Sequence, residues 1–456
     1  MRTATVTNWA RTHRCKPRRL HFPHGEEELC DILKQCVASE DTVRFIGGRN
    51  SPNDMAMSDS VLIDMNAMQQ PPVLCPDNIV RVSGGTTLET LSRFLKQHGK
   101  SLATLGAISR QTVAGAIATA THGTGLLVGN LSSYVAGARI ANGLGELVTI
   151  SAHSHADRLP AIACHLGQLG GLIEVSMRVV EDFDLEVSEA LLDVESALAR
   201  MDDDLQSDHL RLHYLPGADK IFQWRATRIA PAAPGTAFSP ARNHRALSFF
   251  AKRCYEAMLY GSMFVPSVIP RANRWFAKRS YPLRRRTNGP NHDLFTMDCL
   301  FSQHTTEWAV PLPHARKVIE EVIALCRRMP CAAHVPIEIR FAAGDEVWMS
   351  PCQGAPRCYI GAVSYRPFGK DLEHRRYFEH LEALMLAACA RPHWAKTFTV
   401  TPDRLRTIYP YWDRFEHVRT QMDPHGLFDN AYSRRVLGTN SSTTSEHSHE
   451  RKHSYA

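Results

Sequence analysis

The sequence has no Cys-x-x-Cys pair and no cysteine–histidine group at zinc spacing, although it contains 12 cysteines and 23 histidines. That argues against a metal centre and a disulfide scaffold, and it points to an intracellular, reducing compartment. Charge of one sign is also scarce. The formal net charge of +7 is spread along the chain without a nucleic-acid motif, so no nucleic-acid partner is expected. Long apolar runs are missing: the longest, Ala257 to Pro270, is too short to span a bilayer and contains Pro266. The opening MRTATVTNWARTHRCKPRRL is basic but has no apolar core, so it does not read as a secretory signal. Thr439 to Ala456 is rich in Ser, Thr and His without apolar periodicity and reads as disordered, ending in neither KDEL nor SKL.

What the sequence does contain is a long chain, 456 residues and 44% hydrophobic, enough for two or three domains. Its most distinctive stretch is Leu105 to Gly125, LGAISRQTVAGAIATATHGTG, made almost entirely of small residues. Gly106, Gly115, Gly123 and Gly125 let backbone approach a partner closely, and the intervening Ala and Thr residues leave volume for a large, flat, phosphate-bearing cofactor. Tight helix packing is the alternative reading of such a run.

Upstream, Gly25 to Ser39 predicts an amphipathic helix with Glu26, Glu27 and Glu28 in its first turn. Strands at Thr42 to Ile46 and Ser60 to Met65 flank the polar turn Gly47-Gly48-Arg49-Asn50-Ser51-Pro52-Asn53-Asp54, a candidate phosphate cradle. The turn is not a Rossmann fingerprint, because the helix comes before the strand instead of after the glycines. Ile79 to Ser83 predicts a further strand, and Thr86 with Glu89 predicts a capping box on the next helix. Asn142-Gly143-Leu144-Gly145 marks a hairpin between Tyr134 to Ile140 and Glu146 to Ile150. A strand carrying Ile173, Val175, Met177 and Val179 on one face closes an α+β domain near Glu181 to Asp184.

From Leu185 to about Thr420 glycines thin out, a Pro-rich segment runs from Ala230 to Arg242, and most tryptophans appear, which predicts a second domain. Arg271, Arg274, Lys278, Arg279, Arg284, Arg285 and Arg286, with Trp275 and Phe276 among them, suit either an anionic membrane surface or a plain solvated basic face. In Ile337-Glu338-Ile339-Arg340-Phe341 the period of two places Glu338 and Arg340 together on one surface. Facing solvent the pair is a weak salt bridge; facing a pocket it can hold a polyhydroxylated substrate. Arg391-Pro392-His393-Trp394-Ala395-Lys396 brings an imidazole, an indole and an ammonium together after a turn, and Met422 to Asn430 leads the chain back to the first domain.

Across nearly its whole length the sequence resembles the aldonolactone oxidoreductases of the vanillyl-alcohol-oxidase-type flavoproteins. The matching pieces are NWART, FIGGRNSPNDMAMSDS, GTTLETLSRFLKQHG, LGAISRQTVAGAIATATHGTG, HLGQLGGLIEVSMRVV, QHTTEWAVPLP, PIEIRFAAGDEVWMSPC, YRPFGKD, HWAK and MDPHGLFDNAYSRRVLG. The resemblance implies an α+β architecture: a two-subdomain flavin-binding domain over 1–184, an α+β substrate (cap) domain over 185–420, a return segment over 421–438 and the tail. It implies FAD, with FMN as the alternative, held by the Gly47 to Ser51 turn and by Gly106, Ser109, Thr112, Gly115, Thr119, His122, Gly123, Gly125 and Ile173. His393 and Asn430 would lie near the ring, and Glu338, Arg340 and Lys396 on the substrate side.

The implied chemistry is hydride transfer from C2 of an aldono-1,4-lactone to the flavin, with the 2-keto-lactone tautomerising to an ascorbate-type enediol. Two departures and matches refine it. Asn50 stands where many relatives have the histidine that bonds covalently to the flavin, so the cofactor is expected to be non-covalent. Gly106 resembles the oxidases, whereas the plant-type dehydrogenase carries Ala there, so molecular oxygen is the expected acceptor. A cytochrome-c-linked dehydrogenase and a sugar-alcohol oxidase of the same fold are the alternatives.

Overall fold

The computed structural model describes residues 5–232, 249–297 and 301–438. The expectation for Thr439 to Ala456, and most of the Pro-rich segment, lie outside the described residues. The first subdomain is a parallel three-stranded sheet in the order β1-β3-β2, formed by β1 (Arg19–His21), β2 (Val43–Ile46) and β3 (Val61–Asp64). Helix α1 (Glu26–Ala38) buries Leu29, Ile32, Leu33 and Cys36 against it, the stripe that the helical period predicts. Parallel β1 and β2 on either side of β3 leave the Gly turn exposed at the C-terminal end of β2.

The second subdomain is antiparallel, in the order β7-β6-β8-β5-β4, with β4 (Val73–Cys75), β5 (Ile79–Ser83), β6 (Val135–Ala141), β7 (Leu147–Ser151) and β8 (Gly171–Arg178). The β6–β7 hairpin turns through Asn142 to Gly145, where Gly145 has a φ of +69°. Two helices pack on this sheet, α2 (Leu88–Gln97) and the short α3 (Val113–Ile117). The expected capping box is shifted by one residue. Thr87, not Thr86, accepts from the Thr90 amide, and the Glu89 amide donates to Ser109 O. The cause is that Thr86 is buried, with its carbonyl accepting from Val113 at the start of α3.

The cap domain is one eight-stranded sheet. Its strands are β9 (Asp184–Asp193), β10 (His209–Leu215), β11 (Lys220–Ile229), β12 (Arg284–Pro290), β13 (Gln303–Pro311), β14 (Ile337–Ala342), β15 (Arg357–Tyr365) and β16 (Arg391–Pro392), in the order β12-β9-β11-β10-β14-β15-β13-β16. Helices α4 (Phe249–Gly261) and α5 (Val268–Ser280) form a hairpin between β11 and β12, and α6 (Ala315–Arg328) and α7 (Arg375–Ala387) bury apolar stripes in the core. Gly125 joins the domains: its amide donates to Phe341 O at 2.7 Å, and a Cβ there would lie 2.3 Å from Asp208 O. The return segment ends in α8 (Ala431–Val436), and Val43 N donates to Leu427 O at 2.7 Å.

Candidate active site

A cleft of about 120 Å³ runs between the turn after β2 and the small-residue stretch. Gly47 to Ser51 form one wall, and Thr112, Gly115 and Thr119 the other. A Cβ on Gly47 would lie 2.4 Å from Thr112 Oγ1, and one on Gly48 2.7 Å from Arg110 O, so only glycine lets these walls meet. Among the described residues, none of the amides from Gly47 to Ser51 donates to another group of the chain. Consecutive free amides in a turn make an anion cradle. His165 also lines the cleft, is buried, and has no hydrogen-bond partner at either ring nitrogen. Burial pushes it down to about 3, so it offers a neutral ring. These donors and this partnerless imidazole fit a diphosphate-bearing cofactor.

The opposite side of the site is a face of the cap sheet. Pairing puts Phe222, His213, Glu338, Gly361 and Glu307 in one cross-strand row, and Trp224, Arg211, Arg340, Tyr359 and Ala309 in the next. Direct cross-strand partners project from the same face. Glu338 is ion-paired with Arg340 and lies 3.9 Å from Arg211 Nε and 3.6 Å from His213 Nε2. Burial alone would raise the Glu338 carboxyl, but the guanidinium of Arg340 overcomes it and holds the group well below the usual carboxylate range. His213 is pushed down by burial, against the upward pull of the Glu338 carboxylate. Arg211 Nε and His213 Nε2 are buried with no hydrogen-bond partner, as a polar ligand's landing site requires.

Glu307 anchors a second cluster, with His122 Nε2 at 3.2 Å and Lys396 Nζ at 3.6 Å. Burial opposes its ionisation, but Lys396 and then His122 hold its carboxyl well below the ordinary value. His122 stacks on Tyr359 at 3.5 Å. His393 Nδ1 accepts from the Ala395 amide at 3.1 Å, and burial pushes this histidine down to about 3. Asn53, from the turn after β2, donates to Trp394 O at 2.7 Å and to Lys396 O at 3.0 Å, tying this loop to the cofactor wall.

The sequence-predicted residues thus divide. Gly47, Gly48, Arg49, Asn50, Ser51, Thr112, Gly115 and Thr119 line the cleft. Glu338, Arg340, Lys396, His122 and His393 gather at the sheet face. Gly106 lies beside His122, and a Cβ there would meet Thr121 Cγ2 at 2.8 Å. Gly123 packs on Thr104 and Leu105, and Gly125 on the domain seam. Ser109 accepts from Glu89, and Ile173 O accepts from Gly84 on the strand beside the cleft. Asn430 caps α8 and donates to Met55 O and Met57 O, which fixes the segment after the Gly turn.

Four residues of the face were missed: Arg211, His213, Glu307 and Tyr359. The signal was present in His209-Leu210-Arg211-Leu212-His213, where polar groups alternate with leucines as they do around Glu338. Glu307 had no such pattern.

The chain matches the D-arabinono-1,4-lactone oxidase family over residues 175–436, more than half its length, and an FAD binding domain over 17–151. The protein belongs to the D-arabinono-1,4-lactone oxidase family. It is 31% identical to L-gulonolactone oxidase of Bos taurus, over 94% of this chain and 97% of that one. It is 32% identical to L-gulono-1,4-lactone dehydrogenase of Mycobacterium tuberculosis, over 95% and 99%. Among solved structures, cholesterol oxidase of Brevibacterium sterolicum shares the fold, with a TM-score of 0.79 over 95% of this chain and 96% of that chain, at 14% identity. The family member described here is thus a vanillyl-alcohol-oxidase-type flavoprotein with FAD as its cofactor, and the cleft holds the donors that FAD needs.

Proposed function

We propose that the protein oxidises an aldono-1,4-lactone at C2 to an ascorbate-type product and passes the electrons to molecular oxygen, releasing hydrogen peroxide. The observation that carries the reading is the Glu338–Arg340 pair, with Arg340 buried and Glu338 half-buried, flanked by partnerless nitrogens of Arg211 and His213. FAD, when bound, accepts the hydride from C2. Arg340 and Arg211 supply positive charge where the oxygen of the lactone becomes electron-rich. Glu338, held strongly ionised, is a weak base and acts by accepting hydrogen bonds from substrate hydroxyls. His213 Nε2, buried without a hydrogen-bond partner, takes the C2 hydroxyl proton.

Oxygen as acceptor is supported by Gly106. It has no positive φ, so its backbone does not demand glycine; a methyl there would overlap Thr121 Cγ2 at 2.8 Å and push that side chain aside, next to His122 O. The test is anaerobic titration with gulono-, galactono- and arabinono-lactones, then admission of air. Lactone should bleach the flavin, and air should restore it with peroxide formed in step. Fast reoxidation by cytochrome c with sluggish reoxidation by air would replace the oxidase by the dehydrogenase. Asn50 leaves no nucleophile for a covalent link, so acid precipitation should release the flavin into the supernatant.

A peripheral contact with an anionic membrane completes the reading. No acidic residue stands between Ala257 and His292, the stretch that holds the end of α4 and the whole of α5. Six of the twelve exposed large hydrophobics of the described chain fall between Tyr260 and Leu283, including Phe264 at 74% and Trp275 at 61% exposure. Apolar side chains amid seven cationic ones match an anionic lipid surface. The hairpin's inner side packs Tyr255 on Phe301 and Tyr365, over the cap sheet. Vesicles of phosphatidylcholine with phosphatidylserine should sediment the protein in low salt, and pure phosphatidylcholine should not. Phe264→Ser with Trp275→Ser should abolish sedimentation at unchanged turnover; equal binding to neutral vesicles would overturn the proposal. The eleven described cysteines, all free thiols, support a reducing compartment.

A further inference from the structure

The donor atoms of His122, Glu307 and His393 lie within 4.8 Å of one another, the spacing of a metal centre. One carboxylate oxygen, however, faces the ring of His122, and the other faces the ammonium of Lys396, so the chain fills this place with its own groups. His122 is held at both ring nitrogens: Nδ1 lies 3.0 Å from Gly123 O and Nε2 3.2 Å from Glu307 Oε1. His393, by contrast, accepts at Nδ1 and is neutral.

Glu307 thus stands between two nitrogen-bearing side chains, His122 at one carboxylate oxygen and Lys396 at the other. Lys396 is partly open to solvent, and among the described residues Glu307 is the carboxylate it pairs with, so the ammonium can swing outward if Glu307 loses its charge. His122, stacked on Tyr359, is confined.

We propose that Glu307 is a positioning residue that holds Lys396 as a fixed cation, with the His122 ring ordered beside it, at the flavin side of the site. The inference rests on the flavoenzyme reading but concerns the charge of the site and not the identity of the substrate. A carboxylate that merely contributed negative charge would, on removal, make the site more attractive to anions. One that holds a cation in place makes it less so, because Lys396 leaves.

The experiment is titration of the oxidised, FAD-loaded protein with sulfite, whose addition to flavin is followed by loss of yellow absorbance and needs nearby positive charge. Glu307→Gln should weaken sulfite binding about tenfold, and Lys396→Met by a similar factor. The double variant should be no weaker than either single one, since both remove the same ammonium. Glu307→Asp should restore part of the affinity. Unchanged or tighter sulfite binding in Glu307→Gln overturns the proposal, as does multiplication of the two losses in the double variant. If Glu307→Gln does not fold, Lys396→Met and Glu307→Asp decide: unchanged affinity in Lys396→Met is fatal to it. Wild-type sulfite binding accompanied by no lactone bleaching would instead count against the substrate, not against this role.

Discussion

In the cofactor cleft the donors are backbone amides of five consecutive residues, Gly47 to Ser51. On the substrate face the polar groups are side chains, the nitrogens of Arg211, His213 and Arg340 and the carboxylates of Glu307 and Glu338, drawn from β10, β13 and β14. A backbone site needs little more than the absence of side chains, so it tolerates no added atom. A side-chain site needs the right groups in register, so it survives small changes of shape but not loss of charge.

The sharpest test of this contrast is Arg340→Ala or Glu338→Ala. Each should retain FAD and slow its reduction by lactone about a hundredfold or more, as loss of a transition-state contact costs roughly 3 to 4 kcal/mol. Near-wild-type bleaching in stopped flow would return the pair to an ordinary ion pair. Gly106→Ala probes the backbone side, where one methyl must displace Thr121 Cγ2. Reduction by lactone should persist while reoxidation by air slows about tenfold or more, the scale of an overpacking cost of 1 to 3 kcal/mol. Unaltered oxygen reactivity, with flavin binding lost instead, would assign Gly106 to the cleft alone.

The smallest effect is shared by both regions. His165 of the cleft and His393 of the face are held at about 3, and His209 and His334 at about 4, all by burial. Their folded values lie below the unfolded value of about 6.5, so the unfolded chain binds more protons. Stability is therefore full above about pH 6.5 and falls toward pH 4, by up to about 1.4 kcal/mol per pH unit for each histidine. Denaturant melts at stepped pH should show the slope, and His165→Asn and His393→Asn should each flatten it; a slope unchanged in both would break the parallel.

The same contrast explains what could be read from the chain. The Gly turn and the small-residue stretch carry their meaning locally, because five adjacent amides need only sequence neighbours. Glu338 and Arg340 were legible as a pair because alternation on one strand fixes their common face. Arg211 and His213 belong to that pair only through the β10–β14 register, which no local pattern encodes. Glu307 meets Glu338 only across Gly361, whose lack of a side chain leaves room between two buried carboxylates. Thr86 was misread for the same reason, since its carbonyl serves α3, a partner that lies outside its own helix.

The order β12-β9-β11-β10-β14-β15-β13-β16 divides the cap sheet into an earlier half and a later half that meet only where β10 pairs with β14. Arg211 and His213 lie on one side of that joint, Arg340 and Glu338 on the other. During synthesis Arg211 and His213 emerge with no partner from β14 opposite them, and more than a hundred residues separate β10 from β14. Non-local pairing of this kind is slow to form. The row of polar groups thus straddles a joint that cannot close until β14 has been made, so a nascent chain that stops short of β14 has only half of its substrate face.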